Sequence, residues 1–176
     1  MITRTIYDKA KNIRLAIFDV DGVLTDGSLY ISDAGEEYKA FNTLDGHGMK
    51  MLRASGVELA IITGRTSRCV ELRAQNLGIG LLYQGVENKL EIYHQLLVKF
   101  NLTDNETSYM GDDVADLAIL KRCGLAVGVP NAHTHVKTNC DLITRSAGGR
   151  GAVREFCDLV LTAQKTYDAQ LAPYLK

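Results

Sequence analysis

Short, nearly continuous apolar runs alternate along this chain with segments of helical period, and that alternation restricts the fold more than any other feature. Arg14 to Phe18, Val57 to Thr63, Leu81 to Gln84, Thr107 to Met110 and Leu125 to Val129 place apolar residues on neighbouring positions, as strands buried on both faces require. Between and after them the spacing predicts helices over Gly46 to Ala54, Ser67 to Leu77, Lys89 to Asn101, Val114 to Cys123 and Ala152 to Tyr167. The clearest is Lys89 to Asn101, where Leu90, Tyr93, Leu97 and Phe100 keep to one helical face. This is the pattern of an α/β fold, a central parallel sheet flanked by helices in three layers, built as one domain over residues 1–176. One segment departs from it. Ser28 to Ile31, a turn at Ser32 to Gly35, and Glu37 to Asn42 have the composition of a β-hairpin, an insertion over about residues 27–42 directly after the first strand. The closing helix and its tail occupy about residues 152–176.

Charge and composition exclude several functions. A net charge of −1 and a pI near 6.4 provide no global field for nucleic acid or an anionic membrane, so neither is expected as a partner. The apolar runs fall far short of the roughly 20 residues of a membrane span. Met1 to Arg14 lacks the apolar core of a signal peptide, and a cytoplasmic location is expected. Cys69, Cys123, Cys140 and Cys157 are scattered without a Cys-x-x-Cys pair, as suits free thiols in a reducing compartment. His133 and His135 are close together but lack the further ligands a zinc site needs.

The candidate site lies at the strand ends. The first strand runs into Asp19-Val20-Asp21-Gly22, and Thr107 to Met110 runs into Gly111-Asp112-Asp113, with Asp116 one helical turn on. Carboxyl ends of parallel strands open onto one crevice, so two strands deliver carboxylates to the same edge. Their mutual repulsion is relieved by a hard divalent cation, and magnesium suits few carboxylates plus a substrate phosphate. Either group alone reads equally well as a turn or a helix cap. Two further positions tip the balance: Thr63-Gly64-Arg65 ends a buried strand ahead of a helix, an anion-binding arrangement, and Lys89 opens another helix beside the same crevice.

In this order and spacing the four elements resemble the motifs of the haloacid dehalogenase superfamily of phosphohydrolases: Asp19 to Thr25, Thr63, Lys89 and Gly111 to Asp116. The resemblance implies a Rossmann-like phosphatase fold and a phosphoric monoester hydrolase that works through a phosphoaspartate. It assigns Asp19 as nucleophile, Asp21 as general acid and base, and Thr63, Gly64 and Lys89 as phosphate ligands. It places magnesium on Asp19, Asp21 and Asp112, with Asp113 acting around them and Asp116 positioning a helix. It also shows what is missing: neither inter-motif interval has room for the cap domain that many members carry over the site.

A capless core, a hairpin rich in Leu29, Ile31, Tyr38, Ala40 and Phe41, and the run Gly148 to Glu155 are similar to the subgroup of 3-deoxy-D-manno-octulosonate 8-phosphate phosphatases. That likeness implies an acidic sugar phosphate from lipopolysaccharide precursor synthesis as substrate. It also implies a homotetramer formed through the hairpins, and Arg65 and Arg73 as ligands of the substrate carboxylate. Arg150 reads somewhat better as a solvated residue beside a glycine turn than as a substrate ligand. Three alternatives share parts of the pattern. A phosphatase for a related ulosonate, such as a sialic-acid-type 9-phosphate, uses the same chemistry; a non-catalytic phosphatase-like assembly module uses the same fold. A receiver-like signalling domain also carries a phosphorylatable Asp, but Asp21 supplies a base that hydrolyses the intermediate a receiver must preserve.

Overall fold

In the computed structural model, which describes residues 2–176, helix α1 (Arg4–Lys11) leads into β1 (Leu15–Phe18). A hairpin of β2 (Tyr30–Ile31) and β3 (Glu37–Tyr38) follows, then α2 (Thr43–Ala54), β4 (Glu58–Ile62), α3 (Arg68–Leu77), β5 (Leu81–Tyr83) and α4 (Lys89–Phe100). The second half runs through β6 (Thr107–Gly111), α5 (Leu117–Leu120), β7 (Leu125–Gly128), α6 (Thr134–Lys137), β8 (Leu142–Ile143), α7 (Ala152–Ala163) and α8 (Tyr167–Leu171).

Six strands form one parallel sheet in the order β5-β4-β1-β6-β7-β8, while β2 and β3 pair only with each other. From β1 the chain steps outward through β4 to β5, then returns to the other side of β1 at β6. The reversal falls between β1 and β6, where an open α/β sheet leaves a crevice at its carboxyl edge. The register sets Phe18 opposite both Ile61 and Met110, so the residues that follow β1, β4 and β6 emerge at one level.

β1, β6 and β7 are buried along their whole length, as suits strands covered on both faces, and in β6 the burial includes the hydroxyl residues Thr107 and Ser108. Helix α7 packs against α1 and α2 and sets Phe156 edge-on to Phe18 of β1, with ring centroids 5.7 Å apart. Beyond the sheet's centre, the Tyr93 hydroxyl of α4 shares a 2.9 Å hydrogen bond with Thr107 of β6. Asp45 of α2 accepts the amides of Gly151 (3.3 Å) and Arg154 (2.8 Å) at the start of α7, fixing the Gly148 to Glu155 segment against the core.

The expected α/β fold with its hairpin insertion is the observed one, and between β4 and β5 stands α3 with no further domain. Several elements differ from the sequence reading. Helix α1, helix α6 and strand β8 were not anticipated. Val114 to Cys123 is a 3₁₀ turn followed by the short α5, because Asp113 and Asp116 tie the chain into a turn first. The closing helix stops at Ala163, beyond which Lys165 takes a φ of 60° and the chain turns into α8. Among the described residues no helix is long and apolar enough to cross a membrane.

Candidate active site

A cleft at the carboxyl edge of the sheet is lined by Asp19 and Asp21 after β1, Thr63, Gly64 and Arg65 after β4, Lys89 at the start of α4, and Asp112 and Asp113 after β6. The strand ends thus bring together every residue expected at the phosphate and cation positions. Asp19 is seated by its own amide, which donates to the Met110 carbonyl across the sheet at 3.0 Å.

Beneath the cleft lies a buried charge network. The Lys89 ammonium stands 3.0 Å from Asp19 Oδ1 and 2.7 Å from Asp116 Oδ1, and Tyr109 donates to that same Asp116 oxygen at 2.7 Å. The other oxygen of Asp116 accepts the amides of Asp112 (2.9 Å) and Asp113 (3.2 Å), so Asp116 is a fully occupied hub that orients both Lys89 and the Asp112 loop. Burial drives the Asp19 pKa up from 3.8 to about 6, and Asp116 adds to the rise while Lys89 opposes it. Burial, followed by repulsion from Asp19 and Asp116, pushes Asp112 up to about 7. Burial alone would depress Lys89, but Asp19 and Asp116 outweigh it and keep the ammonium charged.

These features fit a divalent cation. Asp19, Asp112 and Asp116 each bring a carboxylate oxygen within 4.8 Å of the others. When all three are ionised, Lys89 balances one of those charges and leaves two unbalanced. Asp112 Oδ1 is buried with no hydrogen-bond partner, a costly state for a carboxylate oxygen and the expected one for an oxygen that awaits a cation. Since Asp116 is saturated, Asp19 and Asp112 are the groups with ligand capacity to spare. Of the cation set read from the sequence, Asp21 is disposed differently, with its carboxylate turned to Lys39 and to Arg65, whose Nε lies 3.7 Å from Oδ2.

Lys39 is the residue that sequence reasoning missed. Its side chain is only 1% exposed, and its ammonium meets both Asp21 and Glu37 Oε1, the latter at 3.4 Å. Arg65, half exposed, also reaches Glu37 at 2.7 Å, and the Ser67 hydroxyl and Arg65 guanidinium together hold the Glu37 carboxyl down at about 2. Arg73 does not line the cleft. It donates to the Asn42 carbonyl at 2.9 Å and lies over the Phe41 ring, bracing α3 against the start of α2. Arg150 pairs with Asp26 at 3.2 Å on the surface.

Two glycines allow the loops to close over the cation position. Gly22 takes a φ of 91°, and a Cβ there would lie 2.0 Å from Asp112 Oδ2. Gly148 packs so tightly that its Cβ would fall 1.7 Å from the Gly22 carbonyl oxygen. Asn131 bridges the two, donating to Gly22 O at 3.2 Å and accepting the Gly148 amide at 3.0 Å. Gly148→Ala must therefore displace the loop carrying Asp21 and Gly22. A loss of about 1–3 kcal/mol is expected from such overpacking, and a thermal melt should show a Tm lower by roughly 3–10 °C. An unchanged melt would mean that this contact is looser than the geometry indicates.

Residues 81–156 match the family model described as haloacid dehalogenase-like hydrolase. The chain is 48% identical over 167 residues to 3-deoxy-D-manno-octulosonate 8-phosphate phosphatase of Escherichia coli K12, covering 95% of this chain and 89% of that protein. The crystal structure of the phosphatase of that name from Moraxella catarrhalis, in complex with magnesium ion, phosphate ion and KDO, superposes with a TM-score of 0.96 at 42% identity, over 98% of this chain and 99% of that one. A probable phosphatase from Pseudomonas syringae pv. phaseolica gives a TM-score of 0.97 at 49% identity over 99% of both chains. With the motifs, the capless core and the hairpin all in place along almost its whole length, the chain belongs to the 3-deoxy-D-manno-octulosonate 8-phosphate phosphatase family of haloacid dehalogenase-like hydrolases.

Proposed function

We propose that this chain hydrolyses 3-deoxy-D-manno-octulosonate 8-phosphate to the free sugar acid and phosphate, a step in making lipopolysaccharide precursors, with magnesium as cofactor. The observation that carries the reading is the pairing of Asp19, held at 3.0 Å by Lys89, with an unpartnered buried oxygen of Asp112 in a cleft also lined by Thr63 and Gly64. Asp19 attacks phosphorus, and the sugar alkoxide departs with a proton from Asp21. Asp21 then takes a proton from the water that attacks the phosphoaspartate, releasing phosphate and restoring Asp19. Lys89, the Thr63 hydroxyl and the amide of Gly64 face the phosphoryl oxygens and offset their charge. Bound on Asp19 and Asp112, magnesium supplies two positive charges next to the phosphoryl group. Arg65, half exposed at the rim, is suited to the sugar carboxylate. Four unpaired cysteines accord with a cytoplasmic location.

Phosphate release measured on a panel of sugar-acid phosphates and simple phosphomonoesters tests the substrate. The octulosonate should lead by kcat/KM, and chelation should abolish turnover until magnesium is restored. Equal rates on esters lacking a carboxylate would remove the assignment.

The open cleft is completed by assembly. Leu29, Tyr30, Ile31 and Tyr38 of the hairpin are all about half exposed or more, a patch consistent with association into a homotetramer. Ile31→Asp should shift the protein to a smaller species in sedimentation and lower its kcat/KM for the octulosonate. A wild-type sedimentation profile would show that other surfaces hold the subunits together.

A further inference from the structure

The general acid and base of such a reaction must be held to within about half an ångström of its productive position. The loop that carries Asp21 does not hold the side chain itself: Gly22 follows with a φ of 91°, and among the described residues no backbone amide donates to the carboxylate. Among the described residues, the one hydrogen-bond donor to the Asp21 carboxylate is Lys39. That lysine comes from outside the sheet, from the strand end of the hairpin insertion. Arg65 approaches the other Asp21 oxygen at 3.7 Å, too far for a hydrogen bond.

Lys39 is itself firmly fixed. Its ammonium is buried, and a buried charge stays in place only where opposite charges surround it. Here those are Asp21 on one side and Glu37 on the other, and Glu37 is anchored in turn by Arg65 at 2.7 Å. The result is a closed ring, Asp21 to Lys39 to Glu37 to Arg65 and back, drawn from the loop after β1, from the hairpin and from the loop after β4.

We propose that Lys39 is the positioning residue for the acid–base carboxylate, so that the hairpin acts on the departure of the leaving group as well as on assembly. This rests on the reading of Asp21 as the acid. The two claims separate by leaving group. An alkoxide needs a proton as it departs, whereas p-nitrophenolate leaves without one. Damage confined to proton delivery therefore slows the sugar phosphate and spares p-nitrophenyl phosphate.

The experiment measures kcat/KM, which reports the steps through leaving-group departure, for both esters in the wild type and in Asp21→Asn, Lys39→Met and Lys39→Arg. Asp21→Asn is the reference. Its loss on the sugar phosphate should exceed its loss on p-nitrophenyl phosphate by about a hundredfold, at the lower end of what general acid catalysis provides. Lys39→Met should show the same selectivity at about tenfold or more, and Lys39→Arg, which keeps the donor and the charge, should recover most of it. Because Lys39→Met strands Glu37, the double variant Lys39→Met with Glu37→Gln gives the same reading with the charge kept in balance. If Asp21→Asn discriminates between the esters and neither Lys39→Met variant does, Lys39 only braces the hairpin and the proposal is overturned. If Asp21→Asn does not discriminate either, the acid–base reading of Asp21 has failed, and the role given to Lys39 falls with it.

Discussion

Asp19→Asn should leave a folded protein with turnover lower by about four orders of magnitude or more, the scale of loss when a covalent nucleophile is removed. An amide keeps the shape of the side chain and can still accept from Lys89, but it cannot form the phosphoaspartate. The fold should gain from the change. A carboxyl whose pKa is higher in the folded chain weakens folding wherever the group is ionised. That loss is absent below the ordinary value of 3.8 and complete above the folded values, about 6 for Asp19 and about 7 for Asp112. The cation-free wild type should thus lose stability between about pH 4 and pH 7, and Asp19→Asn should lose less. Single-turnover assays and melts across that range, without magnesium, check both halves. Substantial residual turnover in Asp19→Asn would falsify the phosphoaspartate mechanism.

Lys89→Met should damage stability as well as rate. Its side chain is 5% exposed and is the cation that touches both Asp19 and Asp116, so a methionine of similar length keeps the packing and removes the charge balance. Breaking a buried pair from one side costs about 3–5 kcal/mol, which in a chain of this size lowers Tm by roughly 6–20 °C. Loss of a charged donor facing the phosphoryl group should also lower kcat by about 100- to 1000-fold. The stability defect should narrow in saturating magnesium, which restores positive charge beside Asp19, the one of the two carboxylates with ligand capacity to spare. A variant that melts with the wild type, with and without magnesium, would show that the network is not strained in the way its charges imply.

The sequence made much of this site legible because a parallel sheet delivers the residues after its strands to one edge. Once the apolar runs of β1, β4 and β6 are identified, Asp19, Thr63 and Asp112 can be assigned to one crevice without coordinates. What stayed hidden depends on side chains converging from unrelated segments. Lys39, in Glu-Tyr-Lys-Ala, looks like an ordinary solvated strand residue; it is buried because Asp21 and Glu37 meet around it. Arg73 was expected beside Arg65 only through the resemblance; Arg65 precedes α3, whereas Arg73 lies within it and is held by the Asn42 carbonyl and the Phe41 ring. Helix α1 was missed because only Ile6 and Ala10 of its eight residues are buried, too few to give a periodic signal. Strand β8 is two residues long, below the length at which alternation can be read.

The separation between the sheet and the hairpin bears on how such an enzyme can change. The distance from nucleophile to cation carboxylate is set by the register of β1 against β6, deep in the core, where a one-residue slip would turn every side chain to the wrong face. The hairpin is held by two ladder positions and by the ion pairs of Glu37 and Lys39. Mutation can therefore remodel the exposed tip of the hairpin while the strand ends that carry Asp19, Thr63 and Asp112 stay in register.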